Sequence, residues 1–272
     1  KIFGQEKLFS TSSIARMNLY LHGAREFSIA HGDTLRNPAY IHHESLRKFD
    51  KVLANPPFGL EKWGATGWEH DKYGRNMWYN PTDSNADWAW IQHIVSSMNP
   101  DKGMSAFIMA QGVLFHSGSE AEARRKLIET DKVEYVIALP GGVFFGAGVS
   151  GCIIVLNNKK PASHRGKILL IDASQCVTVY RAQKVMEEND INEVYSYVTG
   201  YKDVVDRCKV VTVDEVAEKG YVLTPNTYIE KTPPKPIDTA EIRRRYFEAV
   251  ETTKACEEKL MTLLKEGGYI DE

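Results

Sequence analysis

Four successive residues at positions 55–58 combine groups that could bind a planar amine. Asn55 offers a side-chain oxygen, and Pro56 offers a backbone carbonyl whose direction is restricted because Pro57 follows it. Phe58 adds a flat apolar face on which an aromatic ring could stack. Two such acceptors could hold both hydrogens of the exocyclic amine of adenine and draw its nitrogen towards a tetrahedral form. The pattern therefore indicates a site that transfers a methyl group to the N6 atom of adenine.

The expected reaction is direct in-line attack of the amine on a sulfonium methyl group, which needs no metal ion. Positioning and electrostatics would supply most of the catalysis. A base in duplex DNA must leave the helix before a pocket of this kind can hold it. The Asn-Pro-Pro sequence is also compatible with a tight turn that only ends a strand, so its position in the fold decides between the two interpretations.

Two acidic residues precede the 55–58 turn, each at the end of an expected strand. Glu6 could accept hydrogen bonds from ribose hydroxyl groups, and Asp33 could accept them from the amine of a cofactor's adenine ring. The interval from Glu6 to Asp33 and the interval from Asp33 to Asn55 are each long enough for one β-α step. A single acidic residue after a strand is more often a turn or helix cap. The ordered series nevertheless favours a nucleotide cofactor site, to which we assign all three residues.

The elements expected to position these residues alternate along the first two thirds of the chain. In residues 10–22, Ile14, Met17 and Leu21 recur at helical spacing and predict an amphipathic helix. The other predictions are helices at 87–98 and 119–130 and strands at 1–5, 27–30, 49–54, 104–110, 133–139, 152–156 and 167–171. This alternation predicts an open α/β sheet, in which ligands bind at the carboxyl ends of the strands.

The pattern weakens after residue 175 into polar, helical or irregular sequence. Residues 232–236 are rich in proline and predict a linker. Asp238 and Glu241 have the spacing of a capping box, and a helix should follow to about Lys265. We therefore divide the chain into a catalytic domain at residues 1–175, a connecting segment at 176–231 and a partner-docking helix within 232–272.

The composition is that of a globular protein without a basic excess. Of the 272 residues, 43% are hydrophobic, and the net charge is -2, so a DNA-binding surface would be local or supplied by a partner. The four cysteines lack zinc or disulfide spacing, which favours reduced thiols. No signal peptide or membrane-spanning apolar run is recognisable, so we expect a soluble cytoplasmic protein.

Several further segments allow more than one interpretation. Aromatic residues between 63 and 79 are interleaved with cations, which suits a DNA-facing flap and equally suits a loop anchored in the protein's own core. Residues 141–151 are interpreted as an ordinary connection in preference to an active-site loop. The three arginines at 243–245 are interpreted as a solvated helix face in preference to a phosphate contact. His42 and His43 lack a third ligand at a useful spacing, so no metal site is predicted.

Segments along most of the chain resemble the modification subunits of type I restriction–modification systems. The most specific ones lie in the first 60 residues, and the resemblance continues beyond them. The segments are Gly-Gln-Glu at 4–6, Ala-Arg-Met-Asn-Leu at 15–19, Gly-Asp-Thr-Leu at 32–35, the run from Phe49 to Gly59, residues 107–115, Leu-Pro-Gly-Gly-Val-Phe at 139–144, Asp-Glu at 214–215, and residues 221–228.

This resemblance implies a Rossmann-like methyltransferase sheet and N6-adenine methylation of DNA with S-adenosylmethionine as the cofactor. It implies that Glu6 and Asp33 bind the cofactor and that the 55–58 turn holds the target adenine. The implied partners are DNA, a restriction subunit, and a specificity subunit that supplies sequence recognition and contacts the carboxyl-terminal region.

The sequence departs from the family pattern ahead of residue 4. Family members place an amino-terminal helical domain there, followed by a strand and a glycine-rich loop that lets the backbone approach the cofactor closely. We therefore interpret the sheet as truncated and expect this chain alone to bind S-adenosylmethionine weakly or not at all.

Two alternatives remain open at this point. The same turn chemistry would serve a methyltransferase that acts on RNA or on a protein glutamine, because it suits any planar nitrogen. In the other alternative, the chain is a non-catalytic assembly fragment that docks its partner through residues 238–266.

Overall fold

The computed structural model of the protein describes residues 1–144, 149–181, 183–233 and 239–270. These residues form two compact units, Lys1–Lys231 and Thr232–Glu272. Much of the predicted linker and the predicted capping residue Asp238 lie outside the described residues.

The helices and strands alternate through the first unit. Its strands are β1 (Ile2–Glu6), β2 (Phe27–His31), β3 (Ile41–His42), β4 (Ser45–Leu46), β5 (Lys51–Ala54), β6 (Met104–Ala110), β7 (Val133–Ala138), β8 (Gly151–Asn157), β9 (Lys167–Asp172), β10 (Thr178–Tyr180), β11 (Gln183–Val185) and β12 (Cys208–Thr212). Its helices are α1 (Phe9–Leu21), α2 (Asp87–Ser97), α3 (Ser119–Glu129), α4 (Glu188–Gly200) and α5 (Val213–Glu218), and the second unit contains α6 (Thr239–Glu266).

The centre of the first unit is a six-stranded sheet with the order β12-β9-β7-β8-β6-β5 in the described residues. Strands β5, β6, β7 and β9 run in one direction, because β5 pairs parallel to β6, β7 pairs parallel to β9, and β8 lies antiparallel to both β6 and β7. The carboxyl end of β5, where the 55–58 turn begins, therefore lies at the same edge of the sheet as the carboxyl end of β6.

Strand β9 shows why this sheet is buried on both faces. Ile168 and Leu170 belong to one core cluster, which α2 and α3 cover, whereas Leu169 and Ile171 belong to a second cluster on the opposite face. Alternate residues of a strand point to opposite faces, so four consecutive apolar residues supply both cores. Sequence of this kind predicts a strand inside a layered α/β fold.

Strands β1 and β2 form a separate parallel pair, with α1 connecting them. Among residues 2–31, Ser12 alone is buried. The predicted helix is present, but its apolar stripe is exposed: Ile14 is 68% and Leu21 is 74% exposed. Helical periodicity correctly predicted the helix, but it carried no information on whether anything in this chain covers the stripe.

Most predicted elements are confirmed, with ends displaced by one or two residues. The missed elements are the short strands β3, β4, β10, β11 and β12. Of these, β12 extends the six-stranded sheet by pairing antiparallel with β9, so residues 176–231 contribute a strand to it where only helical or irregular structure was expected. The proposed domain boundary at residue 175 stays a prediction.

Helix α6 accounts for most of the described residues of the second unit, and none of its residues is buried. Arg244 forms ion pairs with Glu241 and Glu248 at helical spacing, which fits a solvated face around residues 243–245. Throughout the described ranges, every helix falls short of the length or the apolar character that a membrane span requires.

Candidate functional site

The 55–58 turn begins directly after β5, as the two prolines require. Asn55 is exposed and Pro56 is buried. Among the described residues, neither the Asn55 side-chain amide nor the Pro56 carbonyl has a hydrogen-bond partner. Both acceptors are therefore free to bind a ligand.

A buried carboxylate holds the end of this turn. Gly59 has a φ of 56°, a conformation that favours glycine, and its N–H donates to Asp87 Oδ1 at 2.9 Å. Asp87 is the first residue of α2 and is 4% exposed. Burial raises the pKa of Asp87, while the Gly59 N–H and the Asn85 side chain oppose that shift. Asp87 was not among the predicted site residues, because an acidic residue at a helix start is ordinarily only a cap.

The Phe58 ring is half-buried and meets a second aromatic ring. The centroids of Phe58 and Phe144 lie 6.0 Å apart, and the ring planes are inclined by 83°. Phe144 follows β7 in the segment that we had interpreted as an ordinary connection; residues 145–148 of that segment lie outside the described residues. The structure therefore places part of this segment at the candidate site, where the sequence analysis had not assigned it.

The two predicted acidic residues lie at the carboxyl ends of β1 and β2. Glu6 is paired with His31 in the parallel register, and Asp33 follows two residues later. Glu6 Oε1 accepts the Leu8 N–H at 2.8 Å, and the Lys7 ammonium lies 3.1 Å from Asp33 Oδ2. The neighbouring turns that carry the two carboxylates are therefore tied to each other.

Asp33 is held as a carboxylate by its neighbours. Burial raises its pKa, but the Arg36 N–H, the Lys7 ammonium and the Leu35 N–H lower it, and the net pKa lies below the ordinary value. Its Oδ1 accepts the backbone N–H groups of Leu35 and Arg36 at 3.1 and 3.2 Å. An ionised carboxylate at neutral pH can accept hydrogen bonds from an amine or a hydroxyl group.

Two contacts bring the Asp33 turn and the 55–58 turn to the same edge of the unit. Near the start of β5, the rings of Phe3 and Phe49 lie 5.6 Å apart. At the other end, the Arg36 guanidinium donates to the carbonyls of Trp63 at 2.9 Å and Lys62 at 2.7 Å. The Asp33 turn therefore contacts the loop that follows the 55–58 turn.

The aromatic loop between β5 and α2 is anchored in the protein's own core. Trp63 and Trp68 are buried together, with ring centroids 5.3 Å apart. Trp78 and Tyr79 pack against the core cluster that α2 and α3 cover. Of the two interpretations left open, this burial favours the anchored loop over a DNA-facing flap.

The fold class follows from comparison with a solved structure. The type I restriction-modification system methyltransferase subunit from Streptococcus thermophilus matches with a TM-score of 0.75 and 28% sequence identity, covering 84% of this chain and 48% of that chain. The predicted Rossmann-like methyltransferase fold is therefore confirmed.

The sequence comparison identifies the family. Residues 1–235 match the N-6 DNA Methylase family, and the chain belongs to that family. Together with the type I methylase subunits among its relatives, this match confirms the resemblance to type I modification subunits, while the roles of individual site residues stay predictions.

Two curated relatives indicate how much of such proteins this chain represents. The type I restriction enzyme MjaVIII methylase subunit of Methanocaldococcus jannaschii is 30% identical over 97% of this chain and 48% of its own length. The HindI methylase subunit of Haemophilus influenzae is 30% identical over 84% of this chain and 52% of its own length. The chain therefore spans about half the length of the curated relatives it matches.

Proposed function

We propose that the protein, at the full length of its relatives, transfers a methyl group from S-adenosylmethionine to the N6 atom of adenine in DNA. The observation that carries this proposal is the pair of acceptors at Asn55 and Pro56, which have no hydrogen-bond partner within the described part of the chain and lie beside the Phe58 ring, in a chain of the N-6 DNA Methylase family. RNA or a protein glutamine would offer a similar nitrogen, but the family favours DNA.

In this proposal the chain's own groups orient the target amine. The Asn55 side-chain oxygen and the Pro56 carbonyl each accept one hydrogen of the amine, which directs its lone pair at the methyl group. Phe58 and Phe144 confine the base, and Asp87 holds the turn through Gly59. With S-adenosylmethionine bound, its sulfonium methyl group would pass from sulfur to this nitrogen, and the amine held by Asn55 and Pro56 would release one proton to solvent. Because the groups are already in place, little reorganisation opposes the step.

The residues at the ends of β1 and β2 fit the proposed cofactor. S-adenosylmethionine supplies the methyl group when bound. The ionised Asp33 is an acceptor suited to its adenine amine, and Glu6 is an acceptor suited to its ribose hydroxyl groups. Asn55 completes the proposed set, because it begins the turn at the same edge.

The proposed partners are DNA, a specificity subunit and a restriction subunit. The net charge of -2 supports the view that another subunit supplies much of the DNA contact. Helix α6 is the proposed docking element, since it exposes apolar side chains along its length: Ile242, Tyr246, Phe247, Leu260, Met261 and Leu263. The same exposed residues favour the second candidate, a chain that acts only in assembly. A cytoplasmic location is part of the proposal, supported by the free cysteines of the described residues.

The test is methyl transfer from radiolabelled S-adenosylmethionine to unmodified DNA, with the protein at the full length of its relatives and its specificity subunit present. We expect Asn55→Ala to lower the rate at saturating cofactor by at least about 100-fold, the scale for removing one positioned polar group. The control is Asn192→Ala, which alters an exposed asparagine on α4. Label found only in RNA or protein would contradict the proposal, as would full activity of Asn55→Ala.

A further inference from the structure

Every N–H group of one buried arginine has an acceptor. Arg75 is 2% exposed and lies in the loop between β5 and α2. Its Nε and Nη2 donate to Asp71 Oδ1 at 3.0 and 2.6 Å, and Nη2 also donates to the Leu35 carbonyl at 2.8 Å. Its Nη1 donates to the Thr34 carbonyl at 3.2 Å and lies 3.3 Å from His93 Nδ1. An arginine has five such donors, so its hydrogen-bonding capacity is fully used.

The groups around Arg75 fix its position. The Asp71 carboxylate balances its charge and accepts the backbone N–H groups of Tyr73 and Arg75 itself. Burial, followed by the charge of Arg75, lowers the pKa of His93 to about 3, so His93 is neutral and offers a lone pair. The Trp68 ring lies 4.6 Å from the guanidinium carbon. A buried charge with every bond satisfied holds one geometry, because each departure leaves a donor unpaired.

The two carbonyls that Arg75 binds belong to the turn that carries Asp33. Thr34 and Leu35 follow Asp33 directly, and the Leu35 N–H in turn donates to Asp33 Oδ1. The orientation of the Asp33 carboxylate therefore depends on the side chain of Arg75, which lies 40 residues beyond Leu35 in the chain.

Arg36 connects the same two segments, but it belongs to the Asp33 turn and binds the loop. It extends from the Asp33 turn and donates to the Lys62 and Trp63 carbonyls at the start of the same loop. Gly64 has a φ of 96°, and a Cβ atom there would lie 2.7 Å from Arg36 Nε, so this close approach needs glycine. The turn and the loop are thus clamped to each other by two arginines.

We infer that Arg75 is a positioning residue for the cofactor site, and that it couples cofactor binding to the folded state of the loop that follows the 55–58 turn. The coupling to cofactor rests on the proposed function. The positioning of the Asp33 turn rests on the geometry alone.

The first test needs no cofactor. Hydrogen exchange is measured on the 272-residue chain and on Arg75→Lys, which keeps the charge but loses the fork of donors. We expect the Leu35 and Arg36 amides to exchange at least about tenfold faster in the variant, because local opening becomes easier. The matched control is Arg124→Lys, another 2% exposed arginine, which binds the carbonyls of Tyr221, Val113 and His116. Unchanged exchange at Leu35 and Arg36 in folded Arg75→Lys would overturn the inference.

Asp71→Asn is the second variant, in case Arg75→Lys does not fold. It removes the charge that orients the guanidinium but leaves the bonds to Thr34 and Leu35 available. We expect the same two amides to exchange faster by a smaller factor. Exchange identical to that of the unaltered chain would overturn the inference.

The second test uses the protein at the full length of its relatives. We expect Arg75→Lys to raise the dissociation constant and the KM for S-adenosylmethionine at least about tenfold, with kcat at saturating cofactor changed less than about twofold. Arg124→Lys should leave both constants unchanged even where it lowers the melting temperature equally. If the unaltered protein and Arg75→Lys bind the cofactor equally well, the coupling to cofactor binding is overturned, while the positioning of the Asp33 turn is not. Failure of the unaltered protein to bind the cofactor overturns the proposed function and the coupling with it.

Discussion

The six-stranded sheet and the β1-α1-β2 segment use similar elements but bury very different amounts of apolar surface. In β9, four consecutive apolar residues are at most 1% exposed, and they supply cores on both faces of the sheet. In β1-α1-β2, large apolar side chains such as Ile14 and Leu21 are mostly exposed. The acidic residues of the proposed cofactor site belong to the second region, whereas the 55–58 turn follows the edge strand of the first.

This difference indicates that the two halves of the site differ in local stability. Buried apolar contacts resist local opening, and an element with few of them opens at low cost in free energy. The turn proposed to orient the target amine follows a strand of the six-stranded sheet, whereas the proposed cofactor carboxylates depend on a weakly packed strand pair and on the clamp of Arg36 and Arg75. Three measurements test this difference in local stability.

The largest expected effect is on global stability. Leu169→Ala removes a side chain that is 0% exposed in the centre of β9, and we expect it to lower the free energy of unfolding by about 2–5 kcal/mol. The matched change in the other region, Ile14→Ala, should alter it by less than about 0.5 kcal/mol. Urea denaturation followed by circular dichroism measures both values. Comparable losses for the two variants would show that α1 is packed as firmly as the sheet.

The next effect concerns cofactor binding by the 272-residue chain alone. We expect calorimetric titration of S-adenosylmethionine to detect no binding, because the association would have to order a segment with little packing of its own. The protein at the full length of its relatives is the positive control. Micromolar binding by the 272-residue chain that disappears in Asp33→Ala would contradict this prediction and show that β1-α1-β2 is already organised.

The smallest effect is a pH dependence at the clamp. Burial raises the pKa of Asp71, but the bonds and the charge of Arg75 lower it, and the net pKa lies below the ordinary value. A lowered folded-state pKa stabilises the fold above the unfolded value of about 4, and this stabilisation is lost as the pH falls through the folded-state pKa.

The measurement is the difference in unfolding free energy between the unaltered chain and Asp71→Asn, followed from pH 7 downwards. We expect the difference to shrink below about pH 4, where the unfolded carboxylate also becomes protonated. Asp101→Asn, which alters a residue in an exposed turn, is the control. If the difference in unfolding free energy stays constant with pH, the ionised Asp71 carboxylate does not stabilise the clamp.

Local sequence was sufficient for most of the fold. The strand predicted at 104–110 coincides with β6, and α2 begins at the residue where its helical pattern begins. Strand β12 was missed because it lies within a polar segment and is stabilised by pairing with β9, where Lys209 meets Leu170. Periodicity reports which face of an element is apolar, but it does not report which distant element pairs with it or covers it.

The amino-acid sequence is enough to place Glu6, Asp33 and Asn55 in order at strand ends and to predict the acceptors of the 55–58 turn, because strand ends and proline geometry are local properties. The contacts of Phe144 with Phe58, of Asp87 with Gly59 and of Arg75 with the Asp33 turn are visible only in the folded chain. Each of these contacts joins residues far apart in the chain, so it exists only after the sheet and the loop between β5 and α2 have packed.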